Sequence, residues 1–67
     1  MNVRLFKSIM MINGDTNKTL AKYLGLSEQS ISNKINENGT EFKQSEIAKL
    51  KVKWNLSAEQ VEEIFFN

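Results

Sequence analysis

The stretch from Thr16 to Asn36, T-N-K-T-L-A-K-Y-L-G-L-S-E-Q-S-I-S-N-K-I-N, constrains the fold more than any other part of the chain. Its first half spaces Leu20, Ala21, Tyr23 and Leu24 at helical intervals, which predicts a short helix over Asn17 to Leu24. Its second half opens at Ser27, a favourable N-cap, and sets Ile31 and Ile35 four residues apart on one face. Between them Gly25 reaches φ > 0 without the penalty of a Cβ, as a tight helix-to-helix turn requires. Leu26 tucks that turn onto a core. Ala21 is small where two helices meeting at about 90–120° would otherwise collide. This is the organisation of a helix-turn-helix spanning residues 16–36.

The flanking segments follow the same period. Val3 to Ile12 is predicted as a first helix, with Leu5, Ile9 and Ile12 forming a broad core-facing stripe beside Phe6 and Met10. Asn13-Gly14-Asp15 stops it, and Thr16 caps the next helix. The third helix is expected to run over 27–37, ending in the turn formers Glu37-Asn38-Gly39-Thr40. Phe42 is then read as an anchor pinning that loop to the core. A fourth helix is predicted over Gln44 to Trp54, from Ile47, Leu50 and Trp54 with Ala48 alongside. Ser57-Ala58-Glu59-Gln60 has the form of a capping box and opens a last helix through Val61, Ile64 and Phe65. Five short helices and no sustained alternation predict one all-α domain over residues 1–67.

A chain of 67 residues without cysteine or histidine excludes disulfides, thiolate or imidazole metal sites, and catalytic triads built on either residue. The acids Glu59, Glu62 and Glu63 open an exposed helix, and no glycine-rich phosphate loop accompanies them. The expectation is therefore not an enzyme, with no cofactor and no metal. No apolar run approaches about 18 residues, and Met1 is followed by Asn2, Arg4 and Lys7 without a signal-peptide core. A soluble, cytoplasmic protein without a membrane partner is expected. The net charge of +1 says little, but its distribution says more. Residues 1–34 carry Arg4, Lys7, Lys18, Lys22 and Lys34 against Asp15 and Glu28, a balance of +3, whereas the remainder balances to −2. A weak basic face near the helix-turn-helix fits this asymmetry, and so does scattered solubilising charge.

The run L-A-K-Y-L-G-L-S-E-Q-S-I-S-N-K-I-N-E-N-G, Leu20 to Gly39, resembles the helix-turn-helix of the XRE/Cro/cI-type phage repressors. Leu20, Ala21, Leu24, Gly25, Leu26, Ser27 and Ile31 match that family's pattern L-A-x-x-L-G-[small apolar]-[ST]-x-x-x-[IV] in order. One helix before and two after extend the resemblance over nearly the whole chain. The ending E-I-F-F, with S-N-K-I-N, is similar to small phage and mobile-element regulators of Gram-positive bacteria. The resemblance implies a five-helix, lambda-repressor-like domain acting as a sequence-specific transcriptional regulator in the bacterial cytoplasm, bound to the nucleoid. Its partner would be double-stranded DNA, a pseudo-palindromic operator met by a homodimer, with no small-molecule ligand. One residue departs from the pattern. Lys34 stands where the family has an apolar side chain, and Ile35 is expected to take the buried role by a rotation of the helix's C-terminal half.

In such a motif the N-terminal part of the second helix enters the major groove. Gln29 and Asn33 share a face and carry amides able to bond adenine N6 and N7. Glu28 can accept from cytosine N4, and Ser32 offers a short hydroxyl. These four are the expected base contacts, against the plain alternative of a solvated polar face. Asn17 and Lys18 at the start of the preceding helix, Lys34, and Thr40 and Lys43 in and after the following loop are the expected phosphate contacts. Val61, Phe65 and Phe66 are the expected dimer interface, because two adjacent rings on the last helix cannot both face one core. A competing reading keeps the fold but not the DNA: a protein-interaction module such as an antirepressor or antitoxin-like partner.

Overall fold

In a computed structural model describing residues 1–66, five α-helices follow one another: α1 Val3–Ile12, α2 Asn17–Leu24, α3 Glu28–Ile35, α4 Gln44–Lys53 and α5 Ala58–Phe65. The described residues contain no strand. Local chemistry accounts for where four of the five helices begin. Asn2 Oδ1 accepts the Leu5 N–H at 3.1 Å, and Ser27 Oγ accepts the Ser30 N–H at 3.0 Å. Thr16 and Thr19 cap α2 reciprocally, each hydroxyl accepting from the other's N–H, at 3.3 and 2.9 Å. Ser57 and Gln60 form the expected box at α5, at 3.1 and 2.8 Å. Each such cap satisfies an orphan donor and is worth about 1 kcal/mol.

One fully buried side chain from each helix meets at the centre: Phe6, Leu20, Ile31, Leu50 and Ile64. Phe6 is the hub of an aromatic cluster. Its ring centroid lies 5.3 Å from Phe42, 5.3 Å from Trp54 and 5.9 Å from Phe65. Phe42 is buried as the anchor of the long loop between α3 and α4. The Asn2 N–H donates to the Ile64 carbonyl at 2.7 Å and ties the start of α1 to α5.

Several boundaries and faces differ from the sequence reading. α3 stops at Ile35 rather than Glu37, and α4 at Lys53 rather than Trp54, with Asn36 and Trp54 as C-caps. Ile12 and Met11 are exposed, because the buried face of α1 runs through Phe6 and Met10 and leaves both outside it. Ala48 is also exposed. Ile31, Lys34 and Ile35 are all buried, so α3 keeps one inward face at i, i+3 and i+4 and does not rotate past Lys34. No helix among the described residues is long and apolar enough to cross a membrane.

Candidate nucleic-acid interface

α2 and α3 are joined through Gly25, Leu26 and Ser27. Gly25 adopts the left-handed conformation, φ 70°, and the Leu26 N–H donates to the Ala21 carbonyl at 2.9 Å. Leu20, Ala21 and Leu24 of α2 and Ile31 of α3 are buried, which fixes the two helices against the same core. Packing consumes Ile31, Lys34 and Ile35, so the opposite side of α3 presents Gln29, Asn33 and Asn36, with Ser32 on its flank.

Gln29 is exposed and Asn33 half-buried. Gln29 Nε2 donates to Asn33 Oδ1 at 3.0 Å, so one amide orients the other. Each amide keeps free donor and acceptor capacity after that bond. Asn36, which the sequence reading did not single out, is held by Nδ2–H donation to the Ser32 carbonyl at 3.0 Å. Glu28 is exposed in the first turn of α3, where the helix dipole favours its charge. The four expected base-contacting residues thus lie on one short helix, Glu28 and Gln29 exposed and Ser32 and Asn33 half-buried.

The expected phosphate contacts divide. Lys18 is exposed and Asn17 half-buried, both in the first turn of α2. Asn17 shares a groove with Ile35 of α3 and with Lys7 of α1. Lys7 therefore joins this side of the molecule, a placement signalled in sequence only by the basic first half. Lys43 is exposed. Thr40 is exposed too, but it shares a depression with Glu37, paired to the Met1 ammonium, and with Glu41, whose carboxylate disfavours a phosphate there. Lys34 must be removed from the set. Its side chain is buried, paired with Glu46 at 3.1 Å and donating to the Glu41 carbonyl at 3.2 Å. It also lies 5.9 Å from the Phe42 ring centroid, within cation–π range. A lysine so committed is not available to a phosphate.

Asp15, read in sequence only as part of a turn, supports the start of α2. Its Oδ2 accepts from the Trp54 indole N–H at 2.7 Å, its Oδ1 from the Thr19 hydroxyl at 2.8 Å, and Lys53 Nζ lies 3.4 Å away. Burial pushes the Asp15 carboxyl up, but the Trp54, Thr19 and Lys53 interactions outweigh it and hold its pKa below the ordinary value. Glu46 behaves alike: burial raises it, while the Lys43 N–H and Lys34 lower it further. Tyr23 closes the same side of α4, its hydroxyl donating to the Lys49 carbonyl at 2.9 Å.

Of the three residues expected at a dimer interface, Val61 and Phe65 are half-buried against their own core, and only Phe66 is exposed. The described residues hold no group of three or more histidine, cysteine, aspartate or glutamate side chains arranged for a metal ion. Comparison with curated proteins and with solved structures finds no match. A family model described as "Protein of unknown function (DUF739)" does match, over residues 4–67, a span that takes in α2 to α5 whole and all but the first residue of α1. The chain belongs to the DUF739 family.

Proposed function

We propose that this protein is a sequence-specific DNA-binding transcriptional regulator in which α2, the Gly25 turn and α3 act as a helix-turn-helix within a lambda-repressor-like domain. The observation that carries the reading is the α3 surface: a polar amide face, Gln29 bonded to Asn33, on a helix whose other side is locked into the core. In this reading α3 enters the major groove and Gln29 and Asn33 contact base edges. Lys18, Asn17 and Lys7 rest on the adjoining phosphates, and Lys43 reaches the backbone from the other end of α3. Two copies on a pseudo-palindromic operator are the arrangement the family resemblance implies, with half-sites about one helical turn apart. Regulation would then follow from occupancy and competition for the operator.

Fluorescence anisotropy on labelled duplex DNA over a salt series tests the electrostatic half of this reading. Binding should weaken with salt along a log–log line, and Lys18→Ala should reduce its slope by about one unit. An unchanged slope removes Lys18 from the interface. The alternative of a protein-interaction module draws on one observation, the acidic surface around Phe66 described next. A protein that binds no duplex at low salt would leave that alternative standing.

A further inference from the structure

Phe66 is 64 % exposed and lies at the lip of a groove of ≈ 220 Å³ floored by Phe42, Ile47 and Phe65. That volume is below the range of about 300–1,000 Å³ seen for small-molecule pockets, and suits an inserted side chain better. Two further depressions adjoin it. One is lined by Glu59, Glu62 and Glu63 with Phe66 itself, and the other shares Glu37 and Glu41 with the groove. Asp15 and Glu46 are taken up in the ion pairs with Lys53 and Lys34. Of the six remaining acids in the chain, five therefore line the depressions around the Phe66 ring, and only Glu28 lies elsewhere. Among the described residues Lys34 is the sole basic side chain lining these three depressions, and it is committed to Glu46. The Met1 ammonium pairs with Glu37.

We propose that this surface docks a basic, amphipathic segment of a partner protein. An apolar side chain of the partner covers Phe66 and enters the groove, while its lysines or arginines meet the surrounding glutamates. Charge complementarity selects this occupant over the others. A second copy of the chain, paired about a two-fold axis, would bring each set of glutamates against itself. Nucleic acid is repelled by the same carboxylates. A partner of opposite charge is an alternative to a dimer seam through Phe66, and its docking does not depend on DNA binding by α3.

The test uses a defined probe, a helical peptide of about 14 residues with leucines on one face and lysines on the other, of the kind that lays an apolar face into a groove. A matched peptide with glutamate in place of lysine serves as control. Titration followed by ¹⁵N–¹H NMR should show saturable shifts confined to α5 and the residues lining the groove, with no response to the control. Phe66→Ala and the pair Glu62→Gln/Glu63→Gln should each weaken binding about tenfold or more, as truncation of an interface anchor does. These side chains are exposed, so an unchanged melting temperature will certify that the variants fold. Binding that survives Phe66→Ala, or shifts spread over every acidic residue, would overturn the proposal in favour of charge alone. A dimer in sedimentation velocity that Phe66→Ala dissolves would overturn it in favour of a second copy.

Discussion

Lys34 Nζ lies 3.1 Å from Glu46 Oε1, with the two side chains only 8 % and 11 % exposed. The pair joins the inward face of α3 to the first turn of α4. Glu46 also accepts the Lys43 N–H at 2.8 Å, and Lys34 donates to the Glu41 carbonyl at 3.2 Å. Two charges thus secure the loop between α3 and α4 at both ends. Burying them carries a desolvation penalty that their attraction and added hydrogen bonds offset only while both are present.

Removing one partner should therefore cost far more than removing the pair. Lys34→Met is expected to lower stability by about 3 kcal/mol, because Glu46 is left buried without its paired ammonium. Lys34→Met/Glu46→Gln should recover most of that loss, since glutamine can still accept from Lys43. Urea unfolding of the two single variants and the double variant measures the coupling. Additive losses would mean that the two charges do not interact.

The depressed carboxylates Asp15 and Glu46 make the fold acid-sensitive. A group whose pKa is lower when folded contributes stability above its unfolded pKa, here near 3.8 for Asp15 and 4.5 for Glu46. That contribution is lost as pH falls through the still lower folded values. Melting temperature should hold steady near neutrality and drop below about pH 4. Asp15→Asn should be less stable than the natural chain at pH 7 and approach it at low pH. Parallel curves for the two proteins would contradict this.

Gly25 sits at φ 70°, and a Cβ built there meets nothing within 4 Å. Gly25→Ala should cost only the backbone penalty, about 1–2 kcal/mol, without displacing a neighbour. Thermal unfolding reads the loss, and an unchanged α-helical spectrum would show that the turn persists. A loss several times larger would mean that the turn tolerates no side chain at all.

Features that act within four residues were legible in the sequence. Thr16, Gly25, Ser27 and the Ser57–Gln60 box act on their own helix ends, so their chemistry is local and their placement followed. Phe42 was legible as well, because a lone aromatic in a polar loop has few places to go but inward. Contacts between distant elements were not. Asp15 and Trp54 are 39 residues apart, and nothing near either announces the other. In sequence Lys34 has the form of a surface charge, because its partner Glu46 meets it only in the fold, and the buried role expected of Ile35 is shared by the two. Ile12 keeps the spacing of Leu5 and Ile9, but the buried face of α1 is that of Phe6 and Met10, which only the packed fold decides. On the α3 face the amides of Gln29 and Asn33, four residues apart on one helix, could be named from sequence, whereas the arrival of Lys7 beside Asn17 depends on where the fold sets α1.

The division of labour on α3 separates two kinds of variant. Gln29→Ala should cost about 1–3 kcal/mol on the preferred site and relax a single base position. Lys7→Ala and Lys43→Ala should weaken binding alike on every sequence, whereas Thr40→Ala, beside Glu37 and Glu41, should change little. Equilibrium titration on preferred and scrambled duplexes distinguishes the two classes. Equal losses for Gln29→Ala on both duplexes would remove it as a reader.

Selection of bound duplexes from a randomised pool at about 50 mM salt, with sequencing of the retained fraction, tests the central claim most directly. The account predicts enrichment of one motif, repeated as a pseudo-palindrome at about one helical turn, and loss of a single position's preference with Gln29→Ala. Failure to retain any duplex, or retention with no enriched sequence, would contradict it.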